Sequence, residues 1–230
     1  MATSPSRLAP KVAPRVALVE LDAPSIYILK KAFEQCGIQT VALAEDFATR
    51  LVREKFEGCV VRLDEKAAAV LEAVRSSRSN QRMILYGILL DKVDVRRFSK
   101  YGINAVLNSP LDRSAAVNVA RSTCALLLNE LRRYVRIPLV IEVSVEGTNG
   151  KWSGSSREIS GGGMSVQLPA KAPSADKLRL SFSLPDKPPV SVGATVCWAN
   201  ADALVGFQFQ DLDPAKQTVK DWISSFLGLD

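Results

Sequence analysis

Leu131-Arg132-Arg133-Tyr134-Val135-Arg136 and, a strand pair downstream, Glu158-Ile159-Ser160-Gly161-Gly162-Gly163 are the residues on which the reading of this chain turns. Arg132 and Arg136 stand four residues apart at the end of a long amphipathic segment. Their guanidinium groups therefore project to one side whether the backbone is helical or extended. A guanidinium presents a rigid fork of donors that suits phosphate and the acceptor edge of guanine, so a spaced Arg pair followed by a Gly-rich turn points to a phosphorylated ligand. Alone, such a pair is a solvated basic helix end set against the helix dipole.

Downstream of Pro138 the apolar period becomes two. Ile141, Val143 and Val145 alternate with polar residues, as do Met164, Val166 and Leu168, then Leu178, Leu180, Phe182 and Leu184. Val190, Val192, Val196 and Trp198, followed by Val205, Phe207 and Phe209, complete a six-strand set suited to a small antiparallel barrel. Trp198 and Phe207 read as core. Asp213-Pro214 reads as the start of a final helix whose apolar face is Ala215, Val219, Trp222, Ile223 and Phe226.

Upstream the pattern alternates short apolar runs with amphipathic segments. Val16–Leu21 and Ser25–Cys36 make one β/α unit. Val41–Leu43 with Phe47–Phe56, Cys59–Leu63 with Ala67–Val74, Met83–Leu89 with Val93–Tyr101, and Ala105–Leu107 with the segment from Asp112 make four more. Five such repeats predict a parallel sheet covered by helices on both faces. The fifth helix is long: Ala116, Val117, Ala120, Cys124, Leu127, Leu128, Leu131 and Val135 keep one stripe to about Val135, where Ile137-Pro138 ends it. The stripe would serve a homodimer seam as well as a docking face on the sheet. The expected organisation is a Pro/Ser/Ala-rich disordered arm over residues 1–14, an α/β domain over 15–130 and a β-barrel with a terminal helix over 131–230.

The order R-x-x-x-R, about twenty residues, then D/N-x-S-x-x-G at a strand-to-strand corner resembles the PilZ domain. Ser183-Leu184-Pro185, Val196-Cys197-Trp198 and Gly206-Phe207-Gln208-Phe209 look like that family's later landmarks. The resemblance covers about the last hundred residues and implies a receptor for the bacterial second messenger cyclic di-GMP, bound through Arg132, Arg133, Arg136, Glu158, Ser160 and Gly163. Glu158 departs from the usual Asp or Asn, and its extra methylene moves the carboxylate by roughly 1.5 Å. The same resemblance allows the alternative of a PilZ-like protein-interaction module without a nucleotide. Either way it implies a downstream protein partner, and no cofactor is expected.

The upstream β/α layout resembles the receiver domain of response regulators. Such a domain needs an acidic pair after its first strand, an Asp ending its third, a Thr/Ser after its fourth and a Lys before a Pro after its fifth. Here Glu20 is followed by Leu21 and then Asp22, the acceptor position falls on Leu63 with Asp64 one residue late, Tyr86-Gly87-Ile88 occupies the fourth, and Ser109 precedes Pro110. Phosphoryl transfer depends on charge neutralisation and positioning together. This half accordingly reads as a degenerate receiver.

The remaining composition is exclusionary. The chain of 230 residues has no His, and its four cysteines, Cys36, Cys59, Cys124 and Cys197, lack metal-site spacing and read as reduced core residues. Without His, clustered carboxylates or a nucleophile motif, no enzyme and no metal site is expected. Residues 1–130 hold 19 Lys/Arg against 14 Asp/Glu, and residues 131–230 hold 11 against 10. Arg75, Arg78 and Arg82 form the densest basic cluster, which without interleaved aromatics reads as a solvated edge and not as a nucleic-acid footprint. No apolar run spans a bilayer and the N-terminus has no signal-peptide core, so a cytoplasmic protein without membrane insertion is expected.

Overall fold

The computed structural model describes residues 12–44, 46–90, 93–148, 150–169 and 177–229. Residues 1–11 of the expected N-terminal arm lie outside them. The chain divides into two compact units, one of Ala13–Leu131 and one beginning at Arg132.

In the first unit, β1 (Arg15–Val19), α1 (Ala23–Glu34), β2 (Gln39–Leu43), α2 (Phe47–Arg53), β3 (Gly58–Leu63), α3 (Ala67–Ser76), β4 (Ile84–Leu89), β5 (Ala105–Asn108) and α4 (Arg113–Tyr134) follow one another as the periodicity predicts. The sheet is parallel throughout, in the order β2-β1-β3-β4-β5. Successive strand residues point to opposite faces. Val16, Leu18, Val60 and Tyr86 therefore meet Leu29 and Phe33 of α1 and Ala120 and Leu127 of α4. Ala17, Val19, Cys59 and Val61 meet Leu51 of α2 and Val70 and Leu71 of α3 on the other face. Asp22 starts α1 by accepting from the Ser25 amide at 2.8 Å, with Pro24 in the first turn.

Three local expectations are corrected. The helix expected over Val93–Tyr101 is a 3-10 helix, Val95–Tyr101, begun by the Asp94 carboxylate accepting from the Arg96 amide. Arg75 is not part of a solvated edge. Its guanidinium donates to the carbonyls of Gln81, Tyr101, Gly102 and Met83 at 2.7–3.2 Å, using the planar fork to tie α3 to the loops that enter β4 and β5. On α4 the buried residues are Ala116, Ala120, Thr123, Leu127 and Leu131, so Thr123 faces the sheet where Cys124 was expected. Its hydroxyl accepts from Tyr86 at 2.8 Å and donates to the Val119 carbonyl at 2.7 Å, which satisfies it in an apolar interface.

In the second unit a two-residue strand, β6 (Ile137–Pro138), precedes β7 (Glu142–Gly147), β8 (Gly150–Ser160), β9 (Gly163–Gln167), β10 (Leu178–Ser183), β11 (Pro189–Ala199) and β12 (Leu204–Phe209). The six long strands run β8-β7-β10-β11-β12-β9, and β9 pairs back with β8, closing an antiparallel barrel. Closure removes the sheet edges, and β6 pairs with the end of β8, adding Ile137 to the barrel core. Val143, Val145, Ile159, Val166, Leu180, Val192, Phe207 and Phe209 fill the interior. The final helix α5 (Ala215–Leu227) adds Val219, Trp222, Ile223 and Leu227 to that core. Phe226, expected on the same face, is half-exposed and stacks on Trp222 with ring centroids 5.4 Å apart.

Trp198 is the larger correction. It is 47% exposed, whereas Phe207 is buried as expected. The cause is a register shift in β11: Val196 pairs with Phe207, but the next pair is Trp198 with Gly206, so one extra residue is inserted and the alternation changes phase. Cys197, at the shift, is exposed too. Cys36 and Cys124 are half-buried, and Cys59 alone of the four is fully buried. Among the described residues, no helix is long and apolar enough to cross a membrane.

Candidate functional site

The second unit gathers the motif residues in an order that chain geometry explains step by step. The helix α4 stops at Tyr134, because Pro138 disfavours helical backbone at the residue before it and the chain is extended by β6. Arg132 and Arg133 thus belong to the last helical turn and Arg136 to the extended link. The expectation that Arg132 and Arg136 share one side through a common regular backbone fails for that reason. What ties the two segments that carry them to the Gly-rich turn is backbone pairing.

Two contacts make that pairing. β6 runs antiparallel to β8 with Ile137 opposite Ile159 and Pro138 opposite Glu158. The Gly161 amide donates to the Arg132 carbonyl at 2.8 Å, so the turn between β8 and β9 also closes the end of α4. Arg136 Nη1 donates to the carbonyls of Arg133 and Tyr134 at 3.0 and 3.3 Å, a second closure of the same helix end. Arg136 Nε lies 3.6 Å from Glu158 Oε1, and both side chains are about half-exposed. Arg132 Nε is buried. The stem of Arg133 lies along Gly162, where a Cβ would come within 3.2 Å of Arg133 Cγ.

Ser160 and Gly163 take parts in the turn itself. The Ser160 hydroxyl donates to the Gly163 carbonyl at 3.1 Å and accepts from the Gly162 amide at 3.3 Å, and the residue is buried. Gly163 sits where β9 meets β12 so closely that a Cβ would fall 2.0 Å from the Phe207 carbonyl oxygen. That position requires glycine for the barrel's sake. Arg132 thus meets the turn through its carbonyl, Arg133 through its stem, and Arg136 lies beside Glu158; a segment carrying three guanidinium groups and one carboxylate is net positive, and guanidinium groups hold anions through charge-assisted hydrogen bonds.

An α/β unit with a 2-1-3-4-5 parallel sheet, followed by a closed six-stranded barrel bearing an arginine-and-glycine corner, makes a two-module chain. Residues 130–225 match the PilZ domain family, and that segment of the chain is a PilZ domain. Similar solved structures include the PilZ domain of CesA from a cellulose-synthesizing bacterium, at 25% identity and TM-score 0.32, covering 41% of this chain and 97% of that one. The receiver domain of the sensor histidine kinase PA1611 from Pseudomonas aeruginosa PAO1 is similar to the first unit at 12% identity and TM-score 0.42, covering 50% of this chain and 99% of that one. The inhibitor of motility MotI/DgrA of Bacillus subtilis is similar at 20% identity and TM-score 0.36, covering 43% of this chain and 52% of that one. No curated protein matches the chain.

Sequence reasoning missed the exposure of Trp198, whose neighbours Val192, Val196 and Phe207 all read as one buried face. No residue type announces the register shift that turns it outward.

Proposed function

We propose that this chain is a non-catalytic effector that binds cyclic di-GMP at its PilZ domain through Arg132, Arg133, Arg136, Glu158, Ser160 and Gly163. The observation that carries this reading is the join of the Arg132–Arg136 segment to the Gly161–Gly163 turn, with the Gly161 amide on the Arg132 carbonyl at 2.8 Å and the Arg133 stem along Gly162. The arginines clasp phosphate and the guanine acceptor edge, and Glu158 accepts from the guanine donor edge. Ser160 and Gly163 act at one remove, by holding the turn that presents these groups. Because Arg132 and Arg133 form the last turn of α4, ligand capture fixes the end of that helix, and the change is read by a downstream protein partner.

A second reading rests on a specific observation. The Ser160 hydroxyl is engaged within its own turn and Arg136 is paired with Glu158, the arrangement expected of an interaction module that takes no nucleotide. Isothermal titration with cyclic di-GMP separates the two. Saturable binding that weakens at least about tenfold in Arg132→Ala or Arg136→Ala supports the first, since one charge-assisted hydrogen bond contributes about 1.5–3 kcal/mol. No heat with the wild-type chain supports the second.

A further inference from the structure

Cys36 and Cys124 stand 88 positions apart in sequence, yet Cys124 Sγ lies 4.0 Å from the Cys36 carbonyl oxygen. Cys36 follows the last turn of α1, Cys124 sits midway along α4, and both pack on the same core cluster of the first unit. Burial first, and then Cys124 and Cys36, raise the Tyr86 hydroxyl against its bond to Thr123. The two thiols therefore lie within electrostatic range of one phenol. One helical turn before Cys124, Arg121 Nη2 donates to Gln35 Oε1 at 3.4 Å. The end of α1 is thus held against the stretch of α4 that carries the second cysteine.

The other two cysteines are placed differently. Cys59 is wholly buried, and burial pushes its thiol up to about 12, which keeps it protonated and inert. Cys197 is exposed on β11 of the second unit, with Sγ 3.5 Å from Gln208 Oε1. Cys36 and Cys124 are half-buried, open enough for a small oxidant and near enough for one to resolve the other. A disulfide asks for Cα atoms about 4.4–6.8 Å apart. Cys36 sits in a turn with Gly37 at φ 69°, where even an added Cβ would meet nothing within 4 Å. That segment has room to move onto α4.

We infer that Cys36 and Cys124 form an oxidation site, at which a small peroxide converts the two thiols to a disulfide that ties the end of α1 to α4. The thiolate of one cysteine attacks a peroxide oxygen, the O–O bond breaks, and the leaving hydroxide takes the thiol's proton as water. A sulfenic acid remains. The other thiol attacks its sulfur, the S–O bond breaks, a second water leaves and the S–S bond forms, so the two sulfurs have given two electrons to the peroxide. A dithiol reverses the bond by exchange. Because it spans 88 positions, the bond removes freedom from the unfolded chain. It also restrains α4, whose last turn carries Arg132 and Arg133.

The test treats the full chain with hydrogen peroxide and then with dithiothreitol. Intact mass, non-reducing tryptic maps and thermal melts are followed for wild type, Cys36→Ser, Cys124→Ser and Cys197→Ser. Wild type and Cys197→Ser are expected to lose two hydrogen atoms, to yield a fragment joining the Cys36 and Cys124 peptides, and to melt higher than when reduced, all reversed by dithiothreitol. Cys36→Ser and Cys124→Ser should show neither the joined fragment nor the rise. The wild-type map decides the linkage by itself, so a serine variant that folds poorly leaves the test intact. Oxygen added to Cys36 or Cys124 without a joined fragment, linkage to Cys197 in its place, or no change at either residue overturns the inference. So does a melt rise that survives in Cys36→Ser.

Discussion

Arg62 Nη2 lies 2.6 Å from Asp22 Oδ2, across the end of the parallel sheet at which a working receiver gathers its acidic groups. Asp22 is also engaged by the start of α1: the Ser25 amide and hydroxyl, and then the Arg62 charge, hold its carboxyl below the ordinary value. Leu63, at the expected acceptor position, turns the other way and is fully buried against Gly87, where a Cβ would fall 2.6 Å from Leu63 Cδ1. Asp64 accepts from the Lys66 amide in its own turn. A cation therefore stands beside Asp22, one of the two acids that follow β1, and an apolar side chain fills the strand end.

This arrangement predicts that the first unit does not take phosphate. Phosphoryl transfer requires metal, acceptor and cation placed together. Incubation with acetyl phosphate and magnesium should leave the intact mass unchanged in the wild type. A stoichiometric gain of one phosphoryl group that vanishes in Asp64→Ala or Asp22→Ala would show that one of these acids had been rescued as an acceptor.

Gly163→Ala is predicted to damage the barrel before it damages any ligand contact. A methyl group 2.0 Å from the Phe207 carbonyl must push apart β9 and β12, and overpacking of this kind costs about 1–3 kcal/mol or more. Urea unfolding should show that loss with no ligand present. A fully stable Gly163→Ala chain with impaired binding would return this residue to direct ligand contact.

The pH dependence has two opposed contributions in the first unit. The Arg50 and Arg15 partners depress the Glu54 carboxyl from 4.5 to about 2, so its stabilising contribution is present above 4.5 and is lost as pH falls from there toward 2. Burial raises Glu57, against the Arg15 amide that donates to it at 2.7 Å and the charges of Lys55 and Arg15. Its protonated form is favoured in the fold, so its contribution falls as pH rises through 4.5 to the raised value. Thermal melts should therefore give Glu57→Gln a higher melting temperature than wild type at pH 7 and none of that advantage below pH 4. Glu54→Gln should flatten the acid limb instead.

The features that were legible in sequence and those that were not differ in their physical origin. The alternation of Val16–Leu21, Cys59–Leu63 and Met83–Leu89 with amphipathic segments reports burial on each element, and burial is set by side-chain type. The PilZ domain was legible because the order of its Arg, Ser and Gly residues resembles that family, which residues 130–225 match. Trp198 was not, since one inserted backbone residue reverses facing while every side chain still reads as β. Arg75 was equally opaque: its four carbonyl partners come from segments 6 to 27 residues away, and no local pattern encodes them. The join of Arg132 to Gly161 needed both the end of α4 and the closure of the barrel.

The Arg136–Glu158 pair yields the last prediction, because two roles for Glu158 differ in sign. At 3.6 Å with both side chains about half-exposed, the pair contributes about 0–1 kcal/mol, and a ligand opens it at little cost. If Glu158 accepts from guanine, Glu158→Ala loses that bond and weakens cyclic di-GMP binding, while Glu158→Asp keeps the carboxylate and binds at least as well. If Glu158 instead competes with the ligand for Arg136, Glu158→Ala releases the guanidinium and tightens binding. The guanine-reading role predicts the first result, with the barrel's melting temperature unchanged because the residue is partly exposed on the outer face. Calorimetric titration of wild type, Glu158→Ala and Glu158→Asp decides between them, and tighter binding by Glu158→Ala would remove Glu158 from the set of residues that read the base.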